Sequence, residues 1–555
     1  MKKKILACVA ALCLVLAVIP AFAEGSAVVS DADNFKQALE AGGDVELGAG
    51  FEIDSKLGIT ITKPVTLDLK GFTVNETYGE MNNFIITIKE GGSLTINDTV
   101  GEGKIVAGHA SYGYGIQLFS GATFILNGGT IQTTQESIDI YDSAANVKVE
   151  INGGKVISSD DNVLGVRGSS NVSVDIKGGE LVSGGRTGMY VSSYQEGAIT
   201  VNMSGGSLVQ TSEGGMSGAI QAYKGAVINI SGTASVSSNS SAAINVQENV
   251  QLNVSGGSIS SNSRSEAISV EGQGELNITG GEITSANNSA VSAEEDASVT
   301  VSGGKLIGRE GADAIKKDGD TASITVKGGS FSSDVSEYVP DDLEVDVDDD
   351  GNFVIYVKVT FSDGDEATDN DTVISVISGQ KIDAAQAPAF EKAGYTLSGW
   401  QTADGTAWDM QNGIVSENIT LLPVWTLDAP SVTLTADKSS AKEGESIILT
   451  AEASHELQNA TFAYAWYKDG ALIEGQTGNT LTVTEKGSYS VKVSASDGNI
   501  TSAQTESEAI ACAFTPVTDD PDNGGDCSMI LPIAVLAAML AVLAGAAIYA
   551  KKKRI

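Results

Sequence analysis

The sequence predicts an all-β chain whose main body is a parallel β-helix closed at its N-terminal end by a short cap helix. Three observations carry that expectation. Gly-Gly recurs at Gly128, Gly153, Gly178, Gly205, Gly256, Gly280, Gly303 and Gly328, with a degenerate copy at Gly232, at intervals of 23 to 27 residues. Between the pairs, short stretches alternate apolar and polar residues, the period of a strand with one buried face. Aromatic residues make up only 6% of the chain, while Ser, Thr, Asn and Gly abound, as narrow coils require.

Each repeat reads Gly-Gly-x-apolar, a polar stretch, an alternating strand, a turn, and a second alternating strand ending at Asn or Ser. Asn253-Val254-Ser255-Gly256-Gly257-Ser258-Ile259 and Asn277-Ile278-Thr279-Gly280-Gly281-Glu282-Ile283 are neighbouring copies. One such unit cannot bury its own inner face. Stacked at the strand spacing of about 4.8 Å, like residues lie over like and close one apolar interior. The paired glycines suit a corner where φ is positive and a side chain would clash. Asn-x-Ser/Thr triplets at Asn229, Asn253 and Asn277 fall at one fixed place in the coil, so the repeat accounts for them without glycosylation.

At the N-terminal end of the repeats, Phe35, Ala38 and Leu39 share one face of a predicted helix over 33–41, and Gly42-Gly43 stops it. This helix is placed to plug the apolar shaft. Val65-Thr66-Leu67-Asp68-Leu69-Lys70-Gly71 then resembles the opening of pectate-lyase-like proteins. The resemblance runs from about Ala32 to Val357 and implies a right-handed helix. At its far end, Gly328-Gly329-Ser330-Phe331 and Asn352-Phe353-Val354-Ile355-Tyr356-Val357 resemble the closing segment of bacterial surface helices.

From Lys358 the texture changes. Gly394-Tyr395-Thr396-Leu397-Ser398-Gly399-Trp400, with Leu421-Leu422-Pro423-Val424-Trp425, resembles the Listeria–Bacteroides repeat, a β-grasp module of internalin-B-type surface proteins. Asp363-Gly364-Asp365 replaces its usual Gly-Gly, and Tyr395, Trp400 and Trp425 are its expected core. From Ala429 to Ala511 the chain resembles a bacterial Ig-like domain. Trp466 stands at the core tryptophan position, Tyr489 at the tyrosine corner, and the inter-sheet cysteine pair is absent.

The ends predict export and anchoring. Lys2, Lys3 and Lys4 precede an apolar run, and Ala21-Phe22-Ala23 fits signal-peptidase cleavage. Met529 to Ala550 carries no charge, is long enough to span a bilayer, and is followed by Lys551, Lys552, Lys553 and Arg554. The expected organisation is a signal peptide over 1–23, a β-helix with its cap over 24–357, a β-grasp module over 358–426 and an Ig-like domain over 427–511. A stem over 512–528, a transmembrane helix over 529–550 and a cytoplasmic tail over 551–555 complete it. Pro521-Asp522-Asn523-Gly524 resembles a sortase signal, but Asp520 and Asn523 depart from the pattern, and a flexible stem is the simpler reading.

The net charge is −38. With the seven Lys and Arg of the two termini set aside, 71 acidic residues face 26 basic ones, a net of −45. Such a surface repels nucleic acid. Cys512 and Cys527 remain after export, as a single disulfide or as two free thiols, and His109 and His455 stand too far apart in sequence to suggest one site.

No catalytic set is complete. A lyase needs clustered aspartates holding calcium beside a base, and a hydrolase needs two placed carboxylates. The nearest arrangement is Glu136, Asp161 and Arg186, each eight residues past the first glycine of consecutive repeats, with Asp160 adding a carboxylate. Asp142 and Arg167 share another column. Tyr141, Tyr190 and Tyr194 could stack on sugar rings. A one-residue offset between Ile138/Ile140 and Leu164/Val166 would break these columns, and alternating charge on a wet face is the ordinary reading.

No cofactor is expected. Calcium comes into question at Asp346-Val347-Asp348-Asp349-Asp350-Gly351, but Val357 occupies the position of the bidentate glutamate, so a turn is the simpler reading. The expected function is non-catalytic: a protein on the outer face of the cell membrane whose helix adheres to glycans or to host or neighbour surfaces. A polysaccharide lyase or hydrolase and a structural coat component are the alternatives.

Overall fold

The computed structural model describes residues 25–517 apart from 79–82, 109–111, 194, 196, 214–217 and 365–369. The expected signal peptide, transmembrane span and tail, with Cys527, Pro521–Gly524, His109 and Tyr194, lie outside the described residues. Among the described residues no helix is long and apolar enough to cross a membrane.

The chain is all-β, and its body is a parallel β-solenoid. Each coil contributes one strand to an 11-stranded parallel sheet. To a second, larger sheet it gives two strands in the earlier coils and one continuous strand through the Gly-Gly from Gln251 onward. The coils stack in register. Ile116 lies over Ile86 and beside Ile138, and that column continues through Leu164, Met189 and Ile220. All of these are buried. A buried Leu or Ile contributes roughly 1.5–3 kcal/mol, but a lone coil would leave both its faces wet, so stability comes from stacking.

The Gly-Gly corners have two separate causes. The second glycine takes positive φ, as at Gly154 (φ 77°) and Gly179 (φ 82°). The first passes too close to the coil below: a Cβ on Gly178 would lie 2.5 Å from the Asn152 carbonyl oxygen. Just before the corner runs an asparagine ladder. Asn253 donates from Nδ2 to Asn229 Oδ1 (2.9 Å), and Asn277 to Asn253 (3.1 Å). The glycosylation-like triplets belong to this ladder, each side chain amide spent on its neighbour.

The N-terminal plug is helix Ala32–Ala41, with Asp31 capping it through the Asn34 N–H (3.0 Å) and Gly42 ending it. Phe35 and Leu39 are buried, and the Phe35 ring meets Phe51 edge-on at 5.3 Å. At the other end of the 11-stranded sheet, an inward column stops where Lys317 pairs beside Ala293.

Strand Phe353–Phe361 pairs antiparallel with Ser323–Phe331 and with Glu344–Val347. It then pairs antiparallel with Thr372–Ile377 and parallel with Ile419–Leu427. The expected boundary between 357 and 358 therefore falls inside one continuous strand. Residues 348–351 form the preceding turn, in which Asp348 Oδ1 accepts the N–H groups of Asp350 and Asn352. Trp400 is buried against Phe361 (4.7 Å) and Phe390 (5.6 Å), whereas Tyr395 and Trp425 are only half-buried.

The described residues divide into two compact units, those up to 390 with 398–424, and 391–397 with those from 425 onward. In the second, two sheets enclose a core of Ile447, Leu449, Trp466, Val491 and Val493. Trp466 Nε1 donates to the Gly478 carbonyl (2.9 Å), and the Tyr489 hydroxyl to the Glu485 carbonyl four residues upstream (2.8 Å). Cys512 is buried in that core, and among the described residues it has no disulfide partner.

Candidate ligand-binding site

A column of buried hydroxyls shapes the turn that leads into the 11-stranded sheet. Thr133 Oγ1 donates to the Gln135 carbonyl (2.6 Å), and Ser158 Oγ to the same carbonyl (2.8 Å). One coil further on, Ser183 Oγ lies 3.2 Å from the carbonyls of both Asp161 and Arg186. These hydroxyls satisfy turn carbonyls that no strand reaches, which keeps the polar turn compact.

The turn is one residue longer in the two coils that follow that of Thr133. Thr133 pairs with Ser158, a shift of 25, but Ile138 pairs with Leu164, a shift of 26. Glu136 therefore stands level with Asn162, not with Asp161. The shift returns to 25 for the next coil, so Asp161 and Arg186 remain level. The expected column of Glu136, Asp161 and Arg186 is split. The Asp161 carboxylate caps the Asn162 N–H (2.9 Å), while Asp160 and Arg186 are exposed.

Glu136 joins a different group. Asp139 lies between the inward-facing Ile138 and Ile140, and so points outward, yet it is only 5% exposed. Arg167 of the next coil lies over it. The guanidinium binds Asp139 Oδ1 through Nη1 and Glu136 Oε1 through Nη2 (3.1 Å), and Nη1 also reaches Glu136 Oε2 (3.3 Å). Its Nε lies 3.6 Å from the exposed Asp142. Gln117 Nε2 donates to Asp139 Oδ2 (2.9 Å), and Asn162 Nδ2 to Glu136 Oε1 (3.3 Å). Gly165 makes the room, since a Cβ there would lie 2.0 Å from Glu136 Oε1.

Burial raises the Glu136 carboxyl to about 7, and the Asp139 charge adds to this against the pull of Arg167. Burial also raises Asp139, opposed by its bonds to Gln117 and Arg167. For Arg167, burial opposes the charge, but the facing carboxylates outweigh it and hold the group above its ordinary value. Near neutral pH the cluster thus holds one guanidinium, three carboxyl groups and, for part of the time, a proton on Glu136. All four oxygens of the buried pair already have partners. Neither acid presents a free oxygen to a substrate.

Aromatic rings flank the cluster on the same outer face. Phe119 and Tyr141 stack at 4.8 Å, and Tyr190 and Tyr223 pack at 5.7 Å. Arg167 sits 5.3 Å from the Tyr190 ring, and Lys89 lies 5.9 Å from that of Phe119. Tyr141 is 44% exposed. Further along the face, Glu271 accepts from Asn245 (2.5 Å) and Gln247 (2.5 Å), and Lys316 pairs with Asp318. Burial raises Glu294, with Glu271, Glu266 and Asp318 reinforcing it.

The sequence grouped Asp142 with Arg167, and the structure brings them together. It did not single out Asp139, Gln117 or Asn162. An acid between two core isoleucines, in Ser137-Ile138-Asp139-Ile140, was the available signal for Asp139.

In the second unit a cavity of about 400 Å³ is lined by Gly394, Asp428, Ser431, Ser454, His455 and Glu456. His455 Nε2 bonds the Asp428 carbonyl (2.9 Å), and its Nδ1 accepts the Leu457 N–H (3.0 Å). Both ring nitrogens hold the loop, so the imidazole is not free for chemistry. Among the described residues, no group of three or more His, Cys, Asp or Glu is disposed to hold a metal ion.

These features define a β-solenoid protein with a charged and aromatic outer face, joined to smaller β modules. Residues 358–422 match the Listeria-Bacteroides repeat domain, so that module is similar to a known family while the solenoid lies outside the match. No curated protein matches the chain.

Proposed function

We propose that the chain is a cell-surface display protein that binds carbohydrate, without cleaving it, on the outer face of its 11-stranded sheet. One observation carries the non-catalytic reading: every carboxylate oxygen of Glu136 and Asp139 is engaged by Arg167, Gln117 or Asn162. Cleavage of a glycosidic bond needs an acid and a base, or an acid and a nucleophile, open to the sugar. The open groups here are Tyr141 and Asp142, with the half-buried rings of Tyr190 and Tyr223 on the same face, a set suited to holding a sugar.

In this reading the solenoid is right-handed. The modules over 358–426 and 427–511, taken as β-grasp and Ig-like, form a stalk. Residues 1–23 direct export and 529–550 anchor the chain, with the bulk outside the cell membrane. Support for the anchor is the uncharged run followed by four basic residues.

A lyase or hydrolase is the second reading, favoured by the raised Glu136 carboxyl, which is poised to give a proton near neutral pH. Incubating the full chain, purified in detergent, with a panel of polysaccharides separates the two. Retention of a glycan without new reducing ends or unsaturated products supports binding. Product that disappears on Glu136→Gln establishes the enzyme instead. A chain that retains no glycan and packs into a surface layer would be a coat component.

A further inference from the structure

The face around Arg167 has a chemistry more specific than sugar binding in general. We propose that its ligand is a polysaccharide carrying free amino groups, a hexosamine polymer, laid along the solenoid axis between Phe119 and Tyr223. This rests on the glycan-binding reading and narrows it.

Charge is the first argument. Arg167 is one cation among three acids, Glu136, Asp139 and Asp142. Even with Glu136 protonated the cluster is not positive. Asp142 is its open member: its side chain is 59% exposed, and it touches only the guanidinium edge, at 3.6 Å. Two to four coil steps beyond Tyr223 the face carries Glu271, Glu294 and Asp318 in one column, against Lys316 beside it. Lys89 is the cation at the opposite end, over Phe119. Between Phe119 and Tyr223 an ammonium group meets the open carboxylate of Asp142, and a chain running on past Tyr223 meets the acidic column, which repels an acidic polymer.

The aromatic rings give the second argument. A ring face attracts an ammonium group within about 6 Å of its centroid. Arg167 already holds that relation to Tyr190, and Tyr141 is open to do the same for a ligand. An exposed carboxylate beside an exposed aromatic ring, Asp142 next to Tyr141, is the combination that distinguishes an amine from a hydroxyl.

Geometry gives the third. Lys89, Phe119, Tyr141, Arg167, Ser192 and Tyr223 follow one another in a single outward column, one per coil. From Phe119 to Tyr223 is four coil steps, roughly 19 Å at strand spacing. That is the span of several sugar rings, and in the adjoining column Gln117 and Gln221 stand at either end with polar amides. A basic peptide is less suited. Peptides are gripped through sheet edges or helical grooves, and this face is the middle of a continuous sheet whose strands are already paired on both sides.

The test is isothermal titration calorimetry on the full chain in detergent at about pH 6, where sugar amines are protonated. The probes are glucosamine oligomers from the dimer upward, their N-acetylated counterparts, galacturonate oligomers and poly-lysine. Glucosamine oligomers are expected to bind with affinity that rises with length until the chain spans the column. N-acetylation should weaken binding about tenfold, and galacturonate should not bind. Tyr141→Ala and Asp142→Asn, both at exposed positions, should each weaken the glucosamine oligomer about threefold to thirtyfold.

Equal binding of acetylated and free-amine oligomers, both reduced by Tyr141→Ala, would overturn the amine preference and leave the glycan reading standing. Poly-lysine binding as tightly as the oligomers, regardless of Tyr141, would reduce the effect to charge attraction and overturn the proposal. No binding of any glycan would overturn both.

Discussion

Arg167 and Asp139 stand on neighbouring strands of the 11-stranded sheet, and the arginine folds back over the aspartate so that Nη1 meets Oδ1. The same guanidinium grips Glu136, which precedes that strand. A buried pair of this kind contributes little net stability, but removing one partner leaves bare charge behind.

Arg167→Ala should therefore destabilise the solenoid by about 3–5 kcal/mol. Adding Glu136→Gln and Asp139→Asn to it should recover most of that loss. Urea unfolding followed by far-UV circular dichroism on the three variants checks both statements. A repeat array can lose coils locally, so hydrogen exchange at strands Ile138–Ile140 and Leu164–Gly168 should report the same order.

Glu136 should make stability fall as pH rises. Burial lifts its folded carboxyl to about 7 from an ordinary 4.5, so the folded state keeps a proton that the unfolded chain has released. Its contribution is fully present below about 4.5, declines as pH climbs toward about 7, and is flat above that. Glu136→Gln should remove this slope, and denaturation midpoints across that range will show whether it does.

Corner glycines should differ from turn glycines. Gly154→Ala combines positive φ with a Cβ 2.6 Å from the Gly129 carbonyl oxygen, and should cost about 2 kcal/mol or more. Gly351 has a similar φ of 85° but open space around it, so Gly351→Ala should cost only about 1 kcal/mol. Thermal melts of the two variants give the comparison.

The asparagine ladder predicts an absence of modification. With Asn253 bonded on both sides, expression in a host with N-glycosylation should leave Asn229, Asn253 and Asn277 bare in intact-mass spectra. Asn253→Ala should cost about 1–2 kcal/mol, because it strands the amides above and below it.

Much of this architecture was legible in advance because it depends on local chemistry repeated many times. The Gly-Gly period marks corners whose backbone admits no side chain, and alternation marks which residues face inward. Phe35, Ala38, Leu39 and the Gly42-Gly43 stop announce the cap helix by periodicity alone, while its Asp31 cap emerges only in the fold. Trp466 and Tyr489 stand out because each combines a large apolar body with one polar atom, which finds a backbone carbonyl in the fold.

The candidate site was legible only in its parts. Counting from the glycines placed Glu136 beside Asp161. The one-residue offset between Ile138/Ile140 and Leu164/Val166, raised from the sequence as what would break that column, is the one the fold adopts. The structure absorbs one extra residue between Ser158 and Leu164 and returns it before Ser170, so total length is preserved while the middle strand slips. Strand Phe353–Phe361 hid a boundary in the same way, since nothing local distinguishes a strand that ends a module from one that enters the next.

Sequence alone thus determined the coil, its corners, its plug and the acidic balance of its surface, all of them properties of single residues or short periods. Tertiary structure alone decided that Arg167 would lie over Asp139 and Glu136. That depends on which residue of one coil stands over which residue of the next, and hydrogen-bond register fixes it by satisfying the buried Thr133, Ser158 and Ser183 hydroxyls in the turns between them.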